Sequence, residues 1–246
     1  AADSYGVINS TTGNIRVTNP TYTDALNAAE GDASQVSSEI PQYLTYTAAE
    51  YTARILGILA GLSLDRSATY YELDEVVDCA TYNDIDANIN NGELCLFDEH
   101  DDNGVKIARA CNSLKTFTTD VGQDFRFIKI VEAVDLIHDD IYETFRDDYV
   151  GKVINSYSNK MLFIAAVGIY FDGIKGNVLD ASPTANNYVE IDVDANRDYA
   201  TLHGRDVSSM NEQQIKETNT GTNVFLTGKI TPVNAMEDLK IDFVID

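Results

Sequence analysis

Phe127-Ile-Lys-Ile-Val-Glu-Ala-Val-Asp-Leu-Ile-His-Asp-Asp-Ile-Tyr-Glu-Thr-Phe-Arg-Asp-Asp-Tyr149 carries the longest periodic signal in this sequence of 246 residues. Phe127, Ile130, Val131, Val134, Ile137, Ile141, Phe145 and Tyr149 recur at three- and four-residue steps, which lines apolar side chains along one helical face. Polar Gln123-Asp124 precedes the run and Gly151 stops it, so an amphipathic helix over about 125–149 is expected. His138-Asp139-Asp140 lies inside it. Adjacent helical positions point in different directions, so these three cannot converge on one metal ion.

Upstream, Thr47-Ala48-Ala49-Glu50 supplies an N-cap with Glu at the reciprocal position, and Ala49, Ala53, Leu56, Leu59 and Ala60 follow at helical spacing. A helix over 48–60 is expected, with Ala49, Ala53, Gly57, Ala60 and Gly61 as a small-residue face for close packing. Tyr71 to Val77, Leu94 to Phe97 and Val105 to Ala110 read as strands. The last two flank Asp98-Glu-His-Asp-Asp-Asn-Gly104, whose Asn-Gly is a hairpin signal. The turn is rich in carboxylates, but Asn103 and Arg109 stand where a calcium loop counted from Asp98 needs Gly and Glu, so no metal is expected there. Residues 1–46 are mostly polar, and 27–38 read as an exposed loop.

Downstream, Asn159 to Phe171 reads as a second helix, Gly173 to Pro183 as a turn and Tyr188 to Val193 as a strand. Asp194 is the expected cap of a helix running to about Leu202, and a short helix spans Asn211 to Glu217. Val224, Leu226, Gly228 and Ile230 alternate, Pro232-Val-Asn-Ala235 breaks the run, and Leu239, Ile241, Phe243 and Ile245 alternate again. The expectation is an antiparallel hairpin at the end of the chain. The fold class is α/β in the mixed α+β sense: a sheet-and-helix domain over 1–118, then an α+β domain over 119–246 ending in that hairpin.

Seventeen Lys+Arg against 40 Asp+Glu give a formal charge of −23, while 44% hydrophobic residues suffice for a packed core. Such acidity opposes attraction to phosphate backbones and anionic lipid, and no basic run offsets it, so neither nucleic acid nor membrane is an expected partner. The longest strongly apolar stretch, Met161 to Val167, falls far short of the roughly 20 residues that span a bilayer. Cys79, Cys95 and Cys111 are too far apart for a ligand knuckle and are expected as reduced, mostly buried thiols. His100, His138 and His203 fall in no ligand spacing, and no nucleophile elbow, phosphate loop or dinucleotide-binding turn occurs. No catalytic residue, cofactor or metal ligand is assigned.

Several blocks resemble the contractile tail sheath proteins of bacteriophages, phage-like elements and phage-derived bacteriocins. They are Tyr51-Thr-Ala-Arg-Ile-Leu-Gly-Ile-Leu-Ala-Gly-Leu-Ser-Leu-Asp-Arg-Ser-Ala-Thr-Tyr70, Asn91-Gly-Glu-Leu-Cys95, Ile107-Ala-Arg-Ala-Cys-Asn-Ser-Leu114 and Ile128 to Ile141. Asp148-Tyr-Val-Gly-Lys-Val-Ile-Asn-Ser-Tyr157, Ile215-Lys-Glu-Thr-Asn-Thr-Gly-Thr-Asn-Val-Phe-Leu226 and Asn234-Ala-Met-Glu-Asp-Leu239 follow in the same order. The likeness runs from about residue 45 to the end. It implies a non-enzymatic subunit that stacks as rings around an inner tube and drives it into a cell envelope by contraction. Its implied partners are other sheath subunits, the inner tail tube protein, and baseplate and tail terminator proteins. It implies a place in a virion tail or phage-like particle made in the bacterial cytoplasm, residues 1–118 as part of the middle, subtilisin-like domain, and a missing N-terminal part. The competing readings are a hydrolase with a subtilisin-like fold, which no motif here supports, and an acidic non-sheath binding module.

Two sets of site residues follow. Eight of the 17 Lys+Arg lie between Lys106 and Lys160, and the family places tube contacts in its C-terminal domain. Arg126, Lys129 and Arg146, as exposed residues of helix 125–149, are therefore tube-facing candidates. Leu239, Ile241, Phe243 and Ile245 form the apolar face of a terminal strand, well placed to add to a sheet edge of a neighbouring subunit.

Overall fold

The computed structural model describes residues 7–8, 15–98, 104–119 and 121–244. Packing divides the chain into two units: residues up to 132 together with 234 onward, and residues 133–233. The architecture is mixed α/β, with an N-terminal sheet-and-helix region and a C-terminal α+β region closed by an antiparallel strand pair.

The first unit contains β1 (Val7–Ile8), β2 (Ile15–Thr18), α1 (Pro20–Ala28), β3 (Tyr43–Tyr46), α2 (Ala48–Gly61), β4 (Val76–Asp78) and α3 (Ile85–Asn90). β5 (Glu93–Leu94), β6 (Leu96–Asp98) and β7 (Val105–Ile107) follow. β2 lies between β3 and β4, antiparallel to both, and β1 pairs in parallel with β5. β6 and β7 pair antiparallel from Leu96↔Ile107 to Asp98↔Val105; residues 99–103 of the acidic turn between them lie outside the described residues. Only Val76 and Val77 of the strand expected from Tyr71 fall in β4. Tyr71 and Leu73 exchange backbone hydrogen bonds with the β7 chain, but a turn closed by Val76 N–H on Leu73 O at 2.8 Å interrupts the ladder.

Thr47 and Glu50 make both halves of the capping box that starts α2: Thr47 Oγ1 accepts from Glu50 N, and Glu50 Oε2 accepts from Thr47 N. Thr47→Ala is expected to cost about 1 kcal/mol, read from urea unfolding. The helix is placed as expected, but its buried stripe is Ala48, Tyr51, Ile55 and Ile58, while the small residues Ala49, Ala53, Gly57, Ala60 and Gly61 face outward. The bulkier side chains fill the core, against Ile15, Val17, Leu73, Leu94, Val105 and Ile107.

The long helix appears as a 3-10 turn at Gln123–Arg126, α4 (Ile128–Thr144) and a π turn at Phe145–Tyr149. The second unit contains α4 beyond its first turn and then α5 (Tyr157–Ile174), β8 (Tyr188–Ile191), α6 (Val193–Leu202), α7 (Glu212–Lys216) and β9 (Leu226–Lys229). Asp192, not Asp194, caps α6, accepting from Ala195 N at 2.8 Å.

β9 pairs antiparallel with β8, from Tyr188↔Lys229 to Ile191↔Leu226. The closing antiparallel pair is therefore present, but the partner of 224–230 is not 239–245. Beyond β9 the backbone is occupied by residues 178–180: Asp180 N–H bonds Thr231 O at 2.8 Å, Val233 N–H bonds Val178 O at 2.9 Å, and Pro232 bridges Leu179. Residues 231–233 are thereby held against 178–180 instead of turning back as a hairpin. Among the described residues, no helix is long and apolar enough to cross a membrane.

Candidate inter-subunit site

The run 239–244 carries no regular structure, and Leu239, Phe243 and Val244 are each at least 85% exposed; Ile241 is exposed as well, and Ile245 lies outside the described residues. Just before it the chain is held firmly within the first unit. Glu237, its side chain 6% exposed, accepts at Oε1 from Ser67 Oγ (2.8 Å) and Thr69 Oγ1 (3.0 Å), and Arg109 stands 3.7 Å from its Oε2. Arg109 also donates to both oxygens of Asp238, at 2.6 and 3.2 Å. This guanidinium holds the Asp238 carboxyl below the usual range, so the contact is present above that range and lost only as pH falls through the depressed value. Arg109→Met is expected to speed amide exchange from Ala235 to Leu239 while leaving the Ile107 amide protected.

The three basic candidates are not brought together on one exposed face. Lys129, expected to be exposed, is 6% exposed and has its ammonium pKa lowered by burial, partly offset by Asp65; it sits between Ile128 and Ile130 at the buried start of α4. Arg126 is half-buried and donates to Ile89 O (3.0 Å) and Asn90 Oδ1 (3.3 Å). Arg146, in the π turn, is exposed and paired with Asp147 at 2.8 Å and Glu143 at 3.7 Å. His138 meets Asp139 at 3.0 Å on the exposed face and stacks on Tyr142. Cys95 and Cys111 are buried, Cys79 is half-buried, and none is in a disulfide; burial pushes the Cys79 and Cys95 thiols up to about 11.

One site escaped the sequence reading. In the second unit a cavity of about 410 Å³ is walled by Phe145, Tyr149, Phe163 and Val224 and rimmed by Val150, Val153 and Ile154. Phe145 and Tyr149 stack, and each meets Phe163 edge-on, with centroids 5.3 and 4.8 Å away. Lys160, only 4% exposed, also lines it and donates to Thr220 Oγ1 at 2.9 Å. The signal was available: Lys160 stands three residues before Phe163, seven before Val167 and eleven before Phe171, on the stripe that α5 buries.

Solved structures share this fold. A sheath tail protein from Desulfitobacterium hafniense aligns with a TM-score of 0.52 at 25% identity, covering 60% of this chain and 35% of its own. A sheath tail protein from Listeria innocua gives 0.55 at 17% identity, over 76% of this chain and 40% of its own. A chain of the anti-feeding prophage baseplate gives 0.54 at 14%, over 82% and 51%.

Residues 120–246 match the phage tail sheath C-terminal domain family, and the chain belongs to it. The tail sheath protein of Clostridium phage phiCD119 is 38% identical over 201 residues, 79% of this chain and 54% of that protein. Protein XkdK of the phage-like element PBSX of Bacillus subtilis is 28% identical over 123 residues, 49% of this chain and 25% of its own length. The chain thus spans about half or less of the curated relatives that it matches.

Proposed function

We propose that this chain is the part of a contractile sheath subunit that joins its neighbours, in a protein that polymerises as stacked rings around an inner tube and drives the tube through an envelope on contraction. The observation that carries this is the C-terminal segment: fixed at Glu237 and Asp238, then apolar and uncovered for the rest of its described length. Exposed contiguous apolar surface of this kind marks an interaction site. Leu239, Ile241, Phe243 and Ile245 share one side of the segment when it is extended, and main-chain bonds to a neighbour's sheet edge would supply affinity and register. Both strands of the β8–β9 pair have an unpaired edge that can accept a strand. Contraction then needs two packing arrangements of one subunit, the second lower in free energy.

The partners in this reading are other sheath subunits, the inner tube protein, and the baseplate and terminator proteins at the ends of the tail. In this reading the C-terminal region that matches the family, residues 120–246, is the inner part that contacts the tube. Exposed Arg146 is the tube-facing candidate retained; Arg126 and Lys129 contribute to folding before any contact. Electron microscopy of the longer protein, expressed with its tube protein, tests the proposal: ringed tubes that shorten on contraction are expected, and dispersed monomers under all conditions would overturn it.

A further inference from the structure

Lys160 is a buried ammonium with an incomplete shell. Thr220 Oγ1 is its one side-chain partner, a neutral hydroxyl that itself donates to Asn223 O, and no carboxylate among the described residues lies within ion-pair distance. An ammonium withdrawn from water is strongly disfavoured unless it is paired. Burial accordingly lowers the Lys160 pKa, with no acidic group to raise it. Beside it, Asn155 donates to Gly221 O (2.8 Å) and Asn223 O (2.9 Å), but its Oδ1, shielded from solvent, accepts nothing. One cavity therefore offers spare donors from a cation, one unused acceptor and aromatic walls, and its rim carries exposed Val150 and Ile154.

Such a site fits an extended segment presenting a carboxylate, a backbone N–H and an apolar side chain. The C-terminal run presents them. Asp242 and Val244 stand two residues apart and so share one side of an extended strand, opposite Ile241 and Phe243. The Asp242 side chain is 82% exposed and meets only Lys240, at 3.7 Å, and Val244 is 90% exposed although it lies on the otherwise polar side. We propose that the Lys160 cavity receives Asp242 and Val244 of a second copy of this chain, with the carboxylate on the ammonium and a main-chain N–H on Asn155 Oδ1. This rests on the reading that the segment leaves its own subunit. It adds where the segment lands, and that its polar side is buried as well as its apolar one.

The probe is a labelled octapeptide, Leu-Lys-Ile-Asp-Phe-Val-Ile-Asp, matching residues 239–246, titrated into the 246-residue chain and followed by fluorescence anisotropy. Lys160→Met in the chain and Asp242→Asn in the peptide are each expected to weaken binding about tenfold or more, and the two together no more than either alone. The free Lys160→Met chain should melt no lower than the parent, because the variant removes an uncompensated buried charge. A Lys160 whose role is purely structural would lower the melting temperature instead. If the Met variant does not fold, the Asp242→Asn peptide against the parent chain decides alone. Binding indifferent to both changes overturns the cavity assignment and leaves segment exchange standing; no binding of the native peptide overturns both.

Discussion

Removing residues 240–246 is expected to leave a folded monomer that no longer assembles. Ile241, Phe243 and Val244 are at least 56% exposed, and the described part of the removed segment makes one weak internal contact, Lys240 with Asp242 at 3.7 Å. Its removal takes nothing from the core, so the unfolding free energy should change by no more than about 0.5 kcal/mol. Assembly should fail altogether, because in the proposed lattice this segment supplies the main-chain and apolar contacts between subunits. Sedimentation velocity and electron microscopy read the two halves of the prediction separately. Sheaths of normal appearance would defeat strand exchange. An aggregated, unfolded product would show instead that the segment completes its own subunit.

Gly228→Ala should open the strand pair of the second unit. A Cβ at this position would stand 2.5 Å from the carbonyl oxygen of Tyr188 and 3.1 Å from Val189 Cγ2. The first is backbone, so relief requires the strands to separate. Overpacking of this kind costs about 1–3 kcal/mol, and lost ladder bonds add to it. Urea unfolding should show the loss, and amide exchange should quicken at Ile191 and Leu226, the far end of the pair. Unchanged exchange would mean that the strands do not meet at this register.

Local signals were the most legible part of the fold. The Thr47–Glu50 box, the three- and four-residue steps from Phe127 to Tyr149 and the alternation at Tyr188 each concern residues that contact one another along the chain. What they did not give was direction. Both stripes of α2 are spaced for a helix, and the core takes Tyr51, Ile55 and Ile58 because their volume fills it, a comparison that needs the facing strands. The partner of β9 was equally hidden. Leu239 to Ile245 alternates as well as β8 does, but it is β8 that pairs with β9, and residues 178–180 take the backbone bonds of Thr231 and Val233 beyond it. Lys129 misled because a long charged side chain reads as surface, yet its methylene stem fits an apolar stripe, as that of Lys160 also does. The alternation of the terminal segment was visible because its residues lie close along the chain, whereas the Lys160 cavity gathers residues from 145 to 224 and exists only once they are folded together.

The attachment of Glu237 and Asp238 to Ser67, Thr69 and Arg109 also decides which parts of the chain carry load. Residues 15–132 and 234–238 belong to one unit, so the chain leaves it once, through 133–233, and returns. Tension applied between Ile15 and Leu239 passes from the β2 strand through the first unit's core to Arg109 and out at Asp238. While those few contacts hold, residues 133–233 lie in mechanical parallel with them along the chain. In the proposed lattice these contacts would act as a fuse: a neighbour pulling on the terminal segment would have to free two acidic side chains from Ser67, Thr69 and Arg109 before the chain ahead of them could be drawn out.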